Sequence, residues 1–320
     1  MTPLDQVEEI LYLADNTELS YREIADKVLG SKSKQSTVGD IVRRYRVDPV
    51  VGYRPDKYNG TESHSGASMA YTEGYFEKTR KAERSKDNSR ILLISDLHIP
   101  YHHPDALEFL QHLKDKYKPT RVICGGDELD KHALSYHDSD PDLPSAGDEL
   151  RASLPTVAKL ERMFPEMDIL ESNHGSLVWR KAKTHGIPRH YIKSYQDVLG
   201  VGDGWLWHFD MTLELPNGQF CYLHHGKVSD VLRLSQQMGM NAVQFHYHER
   251  FKVDYWGNST GLYWALQSGC LIDDDSYAFN YNNVNLKRPI LGTTLIIDSQ
   301  PILVPMLLDS EGRWKGRAYA

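Results

Sequence analysis

The sequence predicts an α/β protein preceded by a small three-helix domain, and two observations carry that reading. From residue 91 onward, short apolar runs alternate with helical patterns, and five of the runs end in oxygen- or nitrogen-bearing side chains. Before residue 50, apolar residues recur at helical spacing in three short segments. A chain of 320 residues has room for both parts.

The first helix is expected over Leu4, Val7, Ile10, Leu11 and Leu13, ending near Asn16. The second opens on Ser20-Tyr21-Arg22-Glu23, a capping-box pattern, and stops at Gly30. The third starts around Ser36 or Thr37 and places Val38, Ile41 and Val42 on one face. Lys32, Lys34, Arg43, Arg44 and Arg46 flank or face outward from it, with Asp40 the one acid among them. Helix, turn and basic helix over residues 1–48 resemble a helix-turn-helix, which implies DNA contacts through Lys32, Lys34, Arg43 and Arg44. The turn from Gly30 to Gln35 is longer than usual, and the first 50 residues are slightly acidic, so a protein-binding three-helix module is the alternative. Residues 49–90 read as a linker, with Gly52, Pro55, Gly60 and Gly66 and then a mixed-charge run from Phe76 to Arg90.

A catalytic domain is expected over residues 91–320. Its first strand, Ile91-Leu92-Leu93-Ile94, runs into Asp96 and His98. A helix follows over 104–117. Val122-Ile123-Cys124 then leads to Asp127 and Asp130, and a loop over 133–147 precedes a helix over 148–164. Three more runs end at Asn173-His174, His224-His225-Gly226 and His246-Tyr247-His248. In open α/β sheets the carboxyl ends of strands are where chemistry collects.

Composition narrows the class. Hydrophobic and charged contents of 40% and 25% are ordinary for a globular protein, and no apolar run approaches the ~20 residues that span a bilayer. The N-terminus lacks a signal-peptide layout, so an intracellular, cytoplasmic protein without membrane contact is expected. Three scattered cysteines without a CxxC argue against a disulfide framework or a cysteine zinc site. Fifteen histidines, bunched behind apolar runs, point instead to a metal site. The net charge of −7 does not advertise nucleic-acid binding, although a binding footprint is local.

The order Asp-x-His, Gly-Asp-x-x-Asp, Asn-His, His-Gly and His-x-His resembles the calcineurin-like metallophosphoesterase superfamily over residues 91 to about 310. The resemblance implies a four-layer α/β/β/α sandwich with two divalent metal ions at the strand ends. It puts Asp96, His98, Asp127 and His248 on one ion and Asp127, Asn173, His225 and His246 on the other, with Asp127 bridging. Nitrogen and oxygen donors without thiolate suit Mn first, with Fe, Zn or Ni as alternatives. Such a pair lowers the pKa of a shared water, so hydroxide is available for in-line attack on phosphorus. His174 is the expected catalytic histidine, with Asp127 at the heart of the site and Asp130 supporting the ligands.

Two features depart from the pattern. Ser172-Asn173-His174-Gly175 replaces the usual Gly-Asn-His followed by an acid, and the doublet His224-His225 leaves His225 as the match, with His224 on the opposite side of its strand. Together with the N-terminal helices, the resemblance suggests a DNA nuclease or phosphodiesterase, laid out like phage or bacterial accessory proteins. A protein phosphatase, a small-nucleotide phosphodiesterase and an inactive DNA-binding regulator are the alternatives. Arg180 and Lys181 are either phosphate contacts or a solvated helix face, and oligomeric state has no sequence signal.

Overall fold

A computed structural model describes residues 4–17, 19–45, 87–136, 142–274, 276 and 288–318. Most of the expected linker, 49–86, lies outside them. The chain divides into two compact units.

In the first unit, helix α1 spans Leu4–Asn16, α2 Tyr21–Leu29 and α3 Gln35–Tyr45. Ser20 accepts from the Glu23 amide while the Glu23 carboxylate accepts from the Ser20 amide, and Gly30 closes α2 in the left-handed region at φ 66°. The long turn contains a 3-10 turn, Lys32–Lys34, running straight into α3, which therefore starts at Gln35. Val7, Ile10, Leu13, Ile24, Ala25, Val38, Ile41 and Val42 form one buried cluster.

The second unit is layered. One sheet has six strands in the order β11-β10-β1-β2-β3-β4, the other five in the order β5-β6-β7-β9-β8. The six-stranded sheet contains β1 (Arg90–Ile94), β2 (Arg121–Cys124), β3 (Met167–Leu170), β4 (Trp205–His208), β10 (Gly292–Ile297) and β11 (Gln300–Pro305). The five-stranded sheet contains β5 (Met211–Glu214), β6 (Phe220–His224), β7 (Asn241–Gln244), β8 (Lys252–Asn258) and β9 (Gly261–Gln267). Strands β1 to β4 are parallel, as are β6, β7 and β9.

Alternation along the strands builds the layers. Ile91, Leu93 and Ile123 from one sheet meet Leu213, Leu223, Val243 and Leu266 from the other in a core between the sheets. Leu92, Ile94 and Cys124 face the opposite way, against Phe109 and Leu110 of α4 (Ala106–Tyr117) and Val157 and Leu160 of α5 (Ala146–Met163). On the far side, Tyr222, Ala242 and Ala265 pack on Val231 and Leu234. Those two belong to α8 (Val231–Met238), which follows α6 (Leu177–Thr184) and α7 (Tyr195–Leu199). The order is helix, sheet, sheet, helix. Ser145 caps α5 by accepting from the Asp148 amide, which starts that helix two residues before the sequence pattern does. Among the described residues no helix is long and apolar enough to cross a membrane.

Candidate metal centre

Five parallel strands, β1, β2, β3, β6 and β7, deliver every predicted metal-ligating residue just past their carboxyl ends. The backbone there is bent to do so. Asp96, His98, Asp127 and His246 all have positive φ, at 42°, 50°, 49° and 74°. Left-handed geometry at non-glycine residues costs free energy and persists only where surrounding structure enforces it. Part of the enforcement is visible: the His98 amide donates to the Asp127 carbonyl at 2.8 Å, and the His246 amide to the Asp96 carboxylate at 3.3 Å.

Three groups of donors result, each within 4.8 Å: Asp96, His98 and His248; His98, Asp127 and His174; Asp127, His225 and His246. These His/Asp clusters could hold metal ions. Asn173 joins the last group, its Oδ1 lying 2.8 Å from His225 Nε2. Two imidazoles are aimed by their second nitrogen. His98 donates from Nδ1 to Asp130 at 2.7 Å, and His225 from Nδ1 to the Gly125 carbonyl at 2.8 Å. Both then direct Nε2 inward, as ligating histidines do. His174 donates from Nδ1 to the Asp130 carbonyl, leaving Nε2 for the cleft. The orienting partner that the sequence around Gly175 lacks thus comes from the β2 loop.

The centre is buried and carries charge. Asp96 and Asp127 are 0% and 1% exposed, and a buried carboxylate needs compensation. Burial works to raise Asp127, yet His225, His174 and His98 hold its carboxyl well below the usual range. Burial would lower His225, but Asp127 at 3.2 Å pushes it up to about 9. Burial and His225 together depress His246. The Asp96 Oδ1 and His248 Nε2 atoms are buried, 3.6 Å apart and without a hydrogen-bond partner. Acceptor-rich, acid-and-imidazole donors with unsatisfied inward atoms fit divalent cations.

Close packing explains two glycines. A Cβ on Gly226 would stand 2.8 Å from His246 Cβ, and one on Gly126, at φ 100°, 2.6 Å from Ser172 Cβ. Sequence reasoning did not single out Lys131. Its buried ammonium donates to the His174 and Gly175 carbonyls, both at 2.9 Å, and lies 3.9 Å from the Tyr195 ring centroid. A lysine directly after the second acid of Gly-Asp-x-x-Asp was the available signal. Ser172, a departure already visible in the sequence, has its role here: its hydroxyl accepts from the Asp127 and Gly175 amides at 2.9 Å each.

His224 turns away from the centre, stacking on Tyr222 and accepting from the Gly226 amide. His102 and His103 make loop contacts to the Pro100 and Gly312 carbonyls. Arg180 lines the same cleft of about 410 Å³ as His98, Asp127 and His174. In the first unit, Lys32 is exposed and 3.7 Å from Asp26, and Lys34 donates to the Leu29 carbonyl. Arg43 and Arg44 lie in α3, with side chains outside the described residues.

No family model and no curated protein matches the chain. Solved structures do. Vacuolar Protein Sorting 29 from Cryptosporidium parvum is 14% identical at a TM-score of 0.38, covering 72% of this chain and 94% of its own. Chaetomium thermophilum Vps29 is 12% identical at 0.37, covering 71% and 93%. YfcE, a phosphoesterase from E. coli, is 12% identical at 0.36, covering 71% and 96%. Likeness at that level decides nothing about activity.

Proposed function

We propose that this chain is a dinuclear-metal phosphoesterase of the calcineurin-like type that hydrolyses phosphodiester bonds in DNA, with α1 to α3 as a DNA-binding module. The observation that carries it is Asp127, which groups with His225 and His246 on one side and with His98 on the other, while His98 in turn groups with Asp96 and His248. Asp96, His98, Asp127 and His248 would hold one cation and Asp127, Asn173, His225 and His246 the other, with Mn the expected metal. Bound there, two cations would supply Lewis acidity and lower the pKa of a water that attacks phosphorus.

The chain's own groups set the geometry. Asp127 stands between the two donor sets, its Oδ2 3.5 Å from His98 Nε2 and 3.2 Å from His225 Nε2. Asp130 and the Gly125 carbonyl aim His98 and His225. His174, its Nδ1–H tied to the Asp130 carbonyl, presents Nε2 to the cleft, and in its doubly protonated form gives the Nε2 proton to the leaving oxygen and is left neutral. Lys32, Lys34, Arg43 and Arg44 contact DNA phosphates.

A substrate panel with Mn²⁺ tests this: bis(p-nitrophenyl) phosphate, p-nitrophenyl phosphate, and single- and double-stranded DNA. Cleavage of the diester and of DNA is expected. Hydrolysis of the monoester alone would overturn the diesterase reading, and diester cleavage with intact DNA would overturn the nuclease reading.

A further inference from the structure

Residues 172–196 contain no Asp or Glu, where the chain's average of 44 in 320 would place about three. The same 25 residues carry Arg180, Lys181, Lys183, Arg189 and Lys193 with Trp179, Tyr191 and Tyr195 between or beside them. In a chain of net charge −7 this is a local reversal of sign, and it begins at Asn173 and His174.

The structure puts this segment at the surface beside the metal centre. Arg180, Lys183 and Lys193 are exposed, and Tyr191 is 82% exposed. Arg180 lines the cleft and donates to the Asn173 carbonyl at 3.4 Å. Tyr136, 56% exposed on the same cleft, has the Arg180 guanidinium 4.8 Å from its ring centroid. No carboxylate among the described residues pairs with Arg180, Lys183 or Lys193. Arg180, Lys183 and Lys193 are therefore exposed cations without a carboxylate beside them, and with the exposed Tyr191 ring they lead out of the site where phosphate chemistry is proposed.

We infer that α6 and the loop after it form a track for an unpaired DNA strand, distinct from the contacts proposed for α1 to α3. Lysine and arginine follow the phosphates, and Tyr191 stacks on a base. Base faces are available for stacking only where the strand is unpaired, so this surface favours single strands over duplex. The acidity of the rest of the chain repels a polyanion and leaves this basic run as the complementary face. The inference rests on the phosphoesterase reading for what happens to the strand, not for whether it binds.

Fluorescence anisotropy of the full chain in EDTA tests it, with labelled oligonucleotides of roughly 20 nucleotides, enough to cover the site sizes of such grooves. The DNA strand is expected to bind, and duplex held through α1 to α3 is expected to be indifferent to changes in the track. The double variant Lys183→Glu/Lys193→Glu should weaken strand binding by about tenfold or more. It should also flatten the slope of log affinity against log salt by roughly 0.7 for each phosphate no longer neutralised. Tyr191→Ala should cost about fivefold or more, and Lys183→Arg/Lys193→Arg should bind as the unaltered chain does. Unchanged strand binding by the charge-reversal variant, an equal loss of duplex binding by it, or tighter binding of an RNA strand would overturn the inference. Bis(p-nitrophenyl) phosphate hydrolysis by the unaltered protein separates the two claims. An active enzyme that ignores the strand sinks only the track; a bound strand with no ester hydrolysis sinks only the phosphoesterase reading.

Discussion

Ser172 and Gly175 occupy the two places where the Asn173-His174 turn departs from the pattern it resembles, and the structure makes them one feature. The Ser172 hydroxyl takes the amides of Asp127 and Gly175, and a Cβ on residue 175 would come within 2.9 Å of that hydroxyl. A serine at 172 thus requires a glycine at 175. Gly175→Asp should lower the unfolding midpoint, and Ser172→Gly/Gly175→Asp should recover much of the loss in a double-mutant cycle. Additive losses would contradict the coupling. Ser172→Ala, which strips the acceptor from two amides, should cost about 1–3 kcal/mol by urea denaturation. His174 is tested by its leaving group. His174→Gln should slow DNA cleavage by roughly 10²–10⁴, while bis(p-nitrophenyl) phosphate, whose leaving group departs without a proton, is largely spared. Equal losses on both substrates would assign His174 elsewhere.

At the scale of elements, five strand ends were legible because each apolar run stops at a polar donor, and a buried strand forces that boundary. Asp96, His98, Asp127, Asn173, His225, His246 and His248 converge because their strands are parallel neighbours in two sheets. Strands β4, β5, β8 and β9 were not legible in this way. They carry no donor cluster, and β8, at a sheet edge with mostly exposed or half-exposed residues, has no apolar run to read. The start of α3 was obscured by the 3-10 turn before it, which adds a helical turn without apolar spacing. Gly226 joins β6 to the site: its missing side chain admits the His246 ring. Gly226→Ala should displace His246 and weaken retention of one cation by about 10–100-fold in chelator competition, leaving the fold's circular dichroism unchanged.

For the whole molecule, the metal-free and loaded chains should respond to pH in opposite senses. Without cations, the His225 pKa is held at about 9 by Asp127 after burial's opposing pull. Its folded value lies above the ordinary imidazole value of ~6.5, so its stabilisation is complete below that and lost as pH rises through about 9. A cation must displace that proton, so metal affinity should rise with pH up to about 9 and then level. Calorimetry in buffers of different ionisation enthalpy should show proton release on binding at pH 7. Heats independent of buffer would contradict this. Whether Asp127 joins two cation positions is read from the metal content per chain after dialysis from Mn²⁺, by inductively coupled plasma mass spectrometry. Two ions per chain are expected in the unaltered protein and fewer than one in Asp127→Ala. A single ion in the unaltered protein, or two retained without Asp127, would contradict it.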